Sequence, residues 1–205
     1  MPQRIDMQYP DFYTQVPAIK LYDPLSEFLG AIEQGEVEIS YLDCVKLAGH
    51  SCPTVAGAYL MAKEGLKALY TDTLPERGMV KVEMRDNIAQ GVTGVVANVI
   101  SFIIGASDES GFKGIQGKFS RDNLVFFDVE MPTEVKLTRL DTEESVHLSY
   151  NPSSIQPDEK MMPLLGKSLK GLASNKEQET FKKLWQERVE KILLSTDTLI
   201  TIHKD

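Results

Sequence analysis

Residues 48–53 read Ala-Gly-His-Ser-Cys-Pro and lie between two predicted helices of this 205-residue chain. Gly49 is typical of the residue that ends a helix, and Pro53 suits the first position of the next one. His50 therefore falls in the break between the helices, and Cys52 takes the N-cap position of the second helix. Unpaired N–H groups and the positive end of the helix dipole both favour a thiolate there, and the thiolate is the form that binds metal or attacks an electrophile.

The helix that begins at Pro53 is predicted to bury one face in the core. Upstream, Ser40 is expected to cap a helix over residues 41–47, and a short helix is expected over residues 24–32. The first twenty residues are rich in turns and aromatic side chains, and we expect them to lie across the surface. The buried face of the central helix is indicated by apolar residues spaced three and four apart: Val55, Tyr59, Ala62, Leu66 and Leu69.

Downstream of this helix, strands and helices alternate without the regular spacing of a doubly wound sheet, which indicates an α+β fold. Ser174 and Glu177 form a capping-box pattern that begins a last long helix. Residues 151–171 contain several prolines and glycines and are predicted to be a linker or covering loop. The other predicted segments are a strand over residues 79–84, a helix over 90–104, a loop over 105–122, a strand over 124–129, a hairpin of strands 134–140 and 145–150, and an edge strand over 199–203.

We expect one α+β domain over residues 1–150. Residues 151–205 would add a covering loop and a C-terminal helix packed on the same domain. The composition supports a globular chain, with 42% hydrophobic and 25% charged residues.

The net charge of −8 argues against a nucleic-acid partner, because phosphate binding depends on clustered Lys and Arg. The longest apolar stretch, residues 95–104, is half of the about 20 residues that a membrane span needs, so no membrane partner is expected. Cys44 and Cys52 are the only cysteines and are read as reduced thiols. The N-terminus lacks the basic start and apolar run of a secretory signal, so we expect a cytoplasmic protein.

The spacing of His50 and Cys52 allows both side chains to reach one metal ion. For zinc, the bonds would be about 2.0–2.1 Å to nitrogen and 2.3 Å to sulfur. A structural reading is also open, since a cysteine at a helix start is often a small apolar residue and a lone histidine often bonds a backbone carbonyl.

Gly49-His50-Ser51-Cys52-Pro53, followed by a helix rich in small residues, resembles the His-Gly-His-x-Cys-Pro-Gly signature of the formylmethanofuran dehydrogenase E-subunit family. Three later segments resemble that family in the same order. They are the strand Val80-Lys81-Val82-Glu83, the helix end Ile104-Gly105-Ala106-Ser107, and the strand entry from Gly117-Lys118 to Asn123-Leu124-Val125.

This resemblance implies an α+β fold with a mixed β-sheet packed by helices, a homodimer, and a metal site built on His50 and Cys52. The implied cofactor is a divalent transition metal, zinc in the first instance. The chain departs from the family pattern because Ala48 replaces the first signature histidine and Thr54 the glycine after the proline. The missing ligands would come from water or from other side chains, for which the candidates are Asp86, Asn87, Asn98 and His147.

Three functions remain open from the sequence. The first is a metal-binding protein that serves a reaction at His50 and Cys52, with Lewis-acid chemistry or activated water. The second is a non-enzymatic accessory protein or a carrier of metal or haem, in which the helix with Trp185 and the proline-rich segment contact a partner. The third is a thiol enzyme with Cys52 as nucleophile and His50 as base.

Two further groups bear on these functions. Cys44 is predicted to be a core residue, with a resolving thiol for Cys52 as the alternative. Residues 111–118 form a glycine-rich loop that lacks the Walker spacing and is read as a flexible connection. Its N–H groups, with Lys113, Lys118 and Arg121, could hold a small-molecule or anionic ligand near the metal.

Overall fold

The computed structural model of the protein describes residues 8–195 and 199–204. Within these residues, six α-helices pack with a mixed five-stranded sheet and a separate two-stranded sheet, which confirms the predicted α+β class. None of the described helices is both long and apolar enough to cross a membrane. The helices are α1 (Pro24–Phe28), α2 (Tyr41–Ala48), α3 (Pro53–Leu69), α4 (Thr93–Ile104), α5 (Met161–Leu169) and α6 (Asn175–Leu194). The strands are β1 (Ile19–Tyr22), β2 (Glu36–Ile39), β3 (Val80–Met84), β4 (Val125–Phe126), β5 (Val135–Arg139), β6 (Ser145–Tyr150) and β7 (Ile200–Lys204).

The five-stranded sheet has the order β4-β3-β5-β6-β7. Strands β3 and β4 are parallel, and the other neighbours are antiparallel. The hairpin of β5 and β6 confirms the one predicted from alternating apolar residues, since Leu137 of β5 pairs with Val146 of β6. Alternate residues of each strand face the helices, and Val80, Val82 and Met84 of β3 are buried in this way.

Helix α3 crosses the sheet at close range because two glycines two turns apart lie on the face that meets it. A Cβ at Gly57 would approach the Tyr150 ring to 2.4 Å, and one at Gly65 would approach Leu137 Cδ1 to 2.7 Å. Real side chains do not tolerate either distance, so the small residues permit the contact between this helix and the sheet. Gly57, five residues after the N-cap Cys52, brings the N-terminal half of α3 to this contact.

The N-terminal part of the chain differs most from the prediction. Strands β1 and β2 pair in antiparallel fashion, with Ile19 opposite Ile39, and the sequence predicts neither strand. Residues 8–20 do not simply cover the surface, because Phe12 and Tyr13 are buried in the core; residues 1–7 lie outside the described part of the chain. Helix α1 ends at Phe28 rather than at residue 32 because Gly30 is left-handed, with φ of +68°.

Two other elements are shorter than the sequence predicts. Helix α4 begins at Thr93, since Gly91 has φ of +54° and breaks a helix that would start at residue 90. Strand β4 has only two residues because Asn123 and Asp128, with φ of +53° and +60°, end it on either side.

The C-terminal part contains more regular structure than predicted. Residues 151–171 are not wholly a loop, because α5 forms within them and packs on α6. The predicted capping box is confirmed, with Ser174 and Glu177 bonded reciprocally at the start of α6. The edge strand is also confirmed, as β7 pairs with β6 from Tyr150 opposite Ile200.

Candidate functional site at the start of helix α3

The break between α2 and α3 places the two predicted site residues side by side. Gly49 ends α2 in the left-handed conformation, with φ of +74°, and Cys52 is the N-cap of α3. His50 Nε2 lies 3.3 Å from Cys52 Sγ. The two residues that the sequence pointed to are therefore brought together.

The orientation of the His50 ring is set by its other nitrogen. His50 Nδ1 lies 2.9 Å from the carbonyl oxygen of Ala48. A carbonyl can only accept, so Nδ1 carries the proton and donates it. In the neutral ring, Nε2 then presents its lone pair towards Cys52.

Cys52 is held as a helix cap as well as a partner of the histidine. The N–H of Val55 donates to Sγ at 3.5 Å, which is the capping bond expected for an N-cap side chain. The side chain of His50 is exposed, whereas Cys52 is 9% exposed. The imidazole is therefore more accessible to a small reagent than the sulfur is.

Ser51, between the two site residues, is bonded to the C-terminal helix. Trp185 Nε1 donates to the carbonyl oxygen of Ser51 at 2.9 Å, and Ser51 Oγ donates to Gln186 Oε1 at 3.1 Å. Tyr41 OH lies 3.0 Å from Ser51 Oγ. Sequence reasoning missed these contacts, because it singles out Trp185, the only tryptophan of the chain, as a contact for a partner and not for the site.

Of the candidate metal ligands, the structure brings His50 and Cys52 together. Among the described residues, no group of three or more His, Cys, Asp and Glu side chains is arranged to hold a metal ion. Of the further candidate ligands, Asp86 pairs with Arg85, Asn87 bonds Asp128, and His147 lies 3.1 Å from Thr133 Oγ1 on the sheet.

A cavity of about 750 Å³ opens beside His50. Asn98, the remaining candidate ligand, lines the same cavity as His50. Polar groups also come from the loop after α4, through Ser107 and Asp108. The apolar part of the lining includes Leu47, Ile88, Val95, Phe102, Phe112 and Phe127.

A buried ion-pair cluster lies along this cavity. Asp23 Oδ1 accepts from Arg121 Nη2 at 2.7 Å, and Asp23 Oδ2 accepts from Arg77 Nη1 at 2.9 Å. Burial alone would raise the pKa of Asp23. The N–H of Ser26 and the two guanidinium groups outweigh burial, and the pKa falls below its ordinary value.

The glycine-rich loop contributes less to this site than the sequence suggested. Lys113 Nζ bonds Asp122 Oδ2 at 2.8 Å, and Lys118 is exposed. The N–H of Ile115 donates to the carbonyl of Lys118, so part of the loop's backbone is already paired. Of the three predicted cationic residues, Arg121 is the one that lines the cavity.

Cys44 is a core residue, as predicted. It is fully buried, and both cysteines are free thiols. Burial, with a smaller contribution from the Asp43 carboxylate, raises the pKa of the Cys44 thiol to about 12. Its thiolate is therefore scarce at neutral pH, which opposes a role as a resolving thiol.

A family model matches most of the chain. The family model described as FmdE, molybdenum formylmethanofuran dehydrogenase operon, matches residues 47–201. The chain belongs to the FmdE family. The match begins three residues before His50 and extends through α6 into β7, so it includes both site residues and Trp185. No curated protein matches the chain.

Proposed function

We propose that this FmdE-family protein binds a divalent transition metal, zinc in the first instance, between His50 Nε2 and Cys52 Sγ. The observation that carries the proposal is the 3.3 Å approach of these two atoms. Tetrahedral zinc with ordinary bond lengths would hold a nitrogen and a sulfur about 3.6 Å apart, so the pair needs little movement. The bond from Nδ1 to a backbone carbonyl is also the outer contact that metal-binding histidines usually make.

Two protein donors are fewer than the three of a typical catalytic zinc site or the four of a structural one. The pair would therefore fill two coordination positions of the ion and leave the others for water or for a small molecule in the cavity. The guanidinium groups of Arg77 and Arg121 line the same cavity, where they bond Asp23, and they are the groups that would contact an anionic molecule. The chemistry that such an ion supplies is polarisation of a bound oxygen or activation of water.

Elemental mass spectrometry on protein purified without an affinity tag tests the proposal. Wild type and Cys44→Ala should carry nearly one equivalent of a transition metal, because Cys44 lies away from the site in the core. His50→Ala and Cys52→Ala should lose it, because each removes one of two donors. A wild type that folds without metal, or variants that retain it, would contradict the proposal.

The same contacts support a thiol enzyme as the second candidate. Because Nδ1 keeps its proton in the hydrogen bond to the carbonyl oxygen of Ala48, Nε2 is free to accept the proton of Cys52. Cys52, His50 and the Ala48 carbonyl then have the arrangement of a nucleophile, its base and an orienting group. The metal analysis separates the two candidates, since a thiol enzyme needs no bound ion. The rate at which Cys52 is alkylated then tests the nucleophile itself.

We also propose that the protein forms a homodimer through the α5 region. Met162, Leu169 and Leu172 are 56%, 80% and 68% exposed, and such a group of apolar side chains is typical of an interface. Light scattering should give twice the 22.9 kDa of the chain, and a Leu169→Glu, Leu172→Glu variant should be monomeric. Leu140→Glu, at an exposed leucine of another surface, is the control and should remain dimeric. A monomeric wild type would instead favour the alternative of an accessory protein that binds a different partner.

A further inference from the structure

We infer that helix α6 positions the His50–Cys52 pair through Trp185 and Gln186. The inference rests on the proposed function of that pair and concerns residues more than 130 positions away in the chain. Trp185 and Gln186 are positioning residues, because they touch Ser51 rather than the donor atoms themselves.

The contact between Trp185 and Ser51 fixes the backbone between α2 and α3. Ser51 is the single residue between His50 and Cys52, and its carbonyl oxygen accepts the Trp185 indole proton at 2.9 Å. The indole is half-buried against the core and packs at a tilt against Phe181, with ring centroids 5.6 Å apart. A packed donor thus holds the peptide group between Ser51 and Cys52.

The second contact fixes the side chain of the same residue. Gln186 Oε1 is an acceptor only, so Ser51 Oγ and Tyr13 OH both donate to it, at 3.1 and 3.4 Å. Ser51 Oγ has then used its proton, and Tyr41 OH must donate to it at 3.0 Å. Ser51 is therefore tied to α2 through Tyr41 and to α6 through Gln186.

These bonds matter because Ser51 cannot move without moving both neighbours. Gly49 is the C-cap of α2 and Cys52 is the N-cap of α3, so only His50 and Ser51 lie between the two caps. A shift at Ser51 therefore changes the separation of Nε2 and Sγ. Residues that orient metal ligands from outside the coordination sphere usually change metal affinity by about 10- to 100-fold when they are replaced.

Titration of the chelator-treated full-length protein with Co²⁺, followed by the absorption of cobalt bound to thiolate, tests the inference. Trp185→Phe keeps an aromatic ring but removes the indole N–H donor, and Gln186→Leu removes the acceptor oxygen. Each should weaken Co²⁺ binding by about 10-fold. Gln186→Glu keeps an acceptor oxygen, so its Co²⁺ affinity should stay within about 3-fold of wild type. This loss is smaller than the about 10-fold loss expected when an orienting residue is removed.

Leu193→Ala is the matched control, because Leu193 is buried in α6 about 12 Å further along the helix axis. It should lower the melting temperature at least as much as Trp185→Phe while leaving Co²⁺ affinity unchanged. Equal losses of affinity in Leu193→Ala and Trp185→Phe would overturn the inference, because α6 would then act only through overall stability.

Labelling of Cys52 in the metal-free protein separates failure of this inference from failure of the proposed function. Release of Ser51 should expose Cys52, so Trp185→Phe and Gln186→Leu should raise its rate of alkylation about 5-fold over Leu193→Ala, as expected for local opening. If wild type binds no metal but this difference is found, the proposed function fails and the positioning role stands. If metal binds and neither readout separates the variants, only the positioning role fails.

Discussion

Replacement of Asp23 by alanine should lower the free energy of unfolding by about 3–5 kcal/mol, because it leaves two guanidinium groups without their shared carboxylate. Arg121 is buried and Arg77 is half-buried, and both bond Asp23 directly. The same carboxylate also caps α1 by accepting from the N–H groups of Leu25 and Ser26. Loss of the cap accounts for about 1 kcal/mol of the effect.

Urea denaturation of three variants checks this expectation. Asp23→Asn can retain the cap and loses the charge, so its stability should lie between those of wild type and Asp23→Ala. Asp86→Ala removes a partner of Arg85 from a partly exposed surface pair and should cost much less stability than Asp23→Ala. If Asp23→Ala were as stable as Asp86→Ala, the ion pairs of Asp23 with Arg77 and Arg121 would not contribute the expected stability.

The pH dependence of the free energy of unfolding should also show the contribution of the Asp23 carboxylate. The folded pKa of Asp23 lies below its unfolded value, so its contribution is fully present above the unfolded pKa of about 3.9. The contribution is lost as the pH falls through the lower folded pKa. Wild type should therefore lose stability more steeply than Asp23→Asn below about pH 4, and identical slopes would contradict this assignment.

Alkylation of the native, metal-free protein by iodoacetamide should be confined to Cys52. With a pKa of about 12, Cys44 is ionised in roughly one molecule in ten thousand at pH 8, whereas an ordinary thiol of pKa about 8.5 is ionised in roughly a quarter. The difference lowers the ionised fraction of Cys44 about 2,500-fold relative to the ordinary thiol, before the effect of full burial is added.

Peptide mass spectrometry over time, with Cys44→Ala and Cys52→Ala as single-cysteine controls, measures the two rates. Cys52→Ala should remain unmodified until urea is added, and Cys44→Ala should react like wild type. His50→Ala should slow the reaction if the histidine acts as the base of Cys52, which is the thiol-enzyme alternative. Comparable labelling of both cysteines in the native protein would contradict the burial of Cys44.

The core of the candidate site could be predicted because it is local in the chain. Gly49 and Pro53 mark the ends of neighbouring helices by backbone geometry alone, and those ends place His50 beside Cys52. The family resemblance, confirmed by the match to the FmdE model, rests on these same residues. Further candidate ligands could not be chosen in this way, since the proximity of any side chain to His50 depends on how distant segments pack.

The sequence by itself determined local structure. This comprises the helix caps at Ser40 and Ser174, the spacing of buried apolar residues in α3, and the alternation of apolar residues along β5 and β6. Each follows from hydrogen bonds and sterics within a few residues. What only the tertiary structure decided is which remote groups meet. Trp185 reaches Ser51 across 134 positions, and Arg121 reaches Asp23 across 98. Such contacts form because packing of the whole core closes long loops, and no local preference for helix or strand encodes that closure.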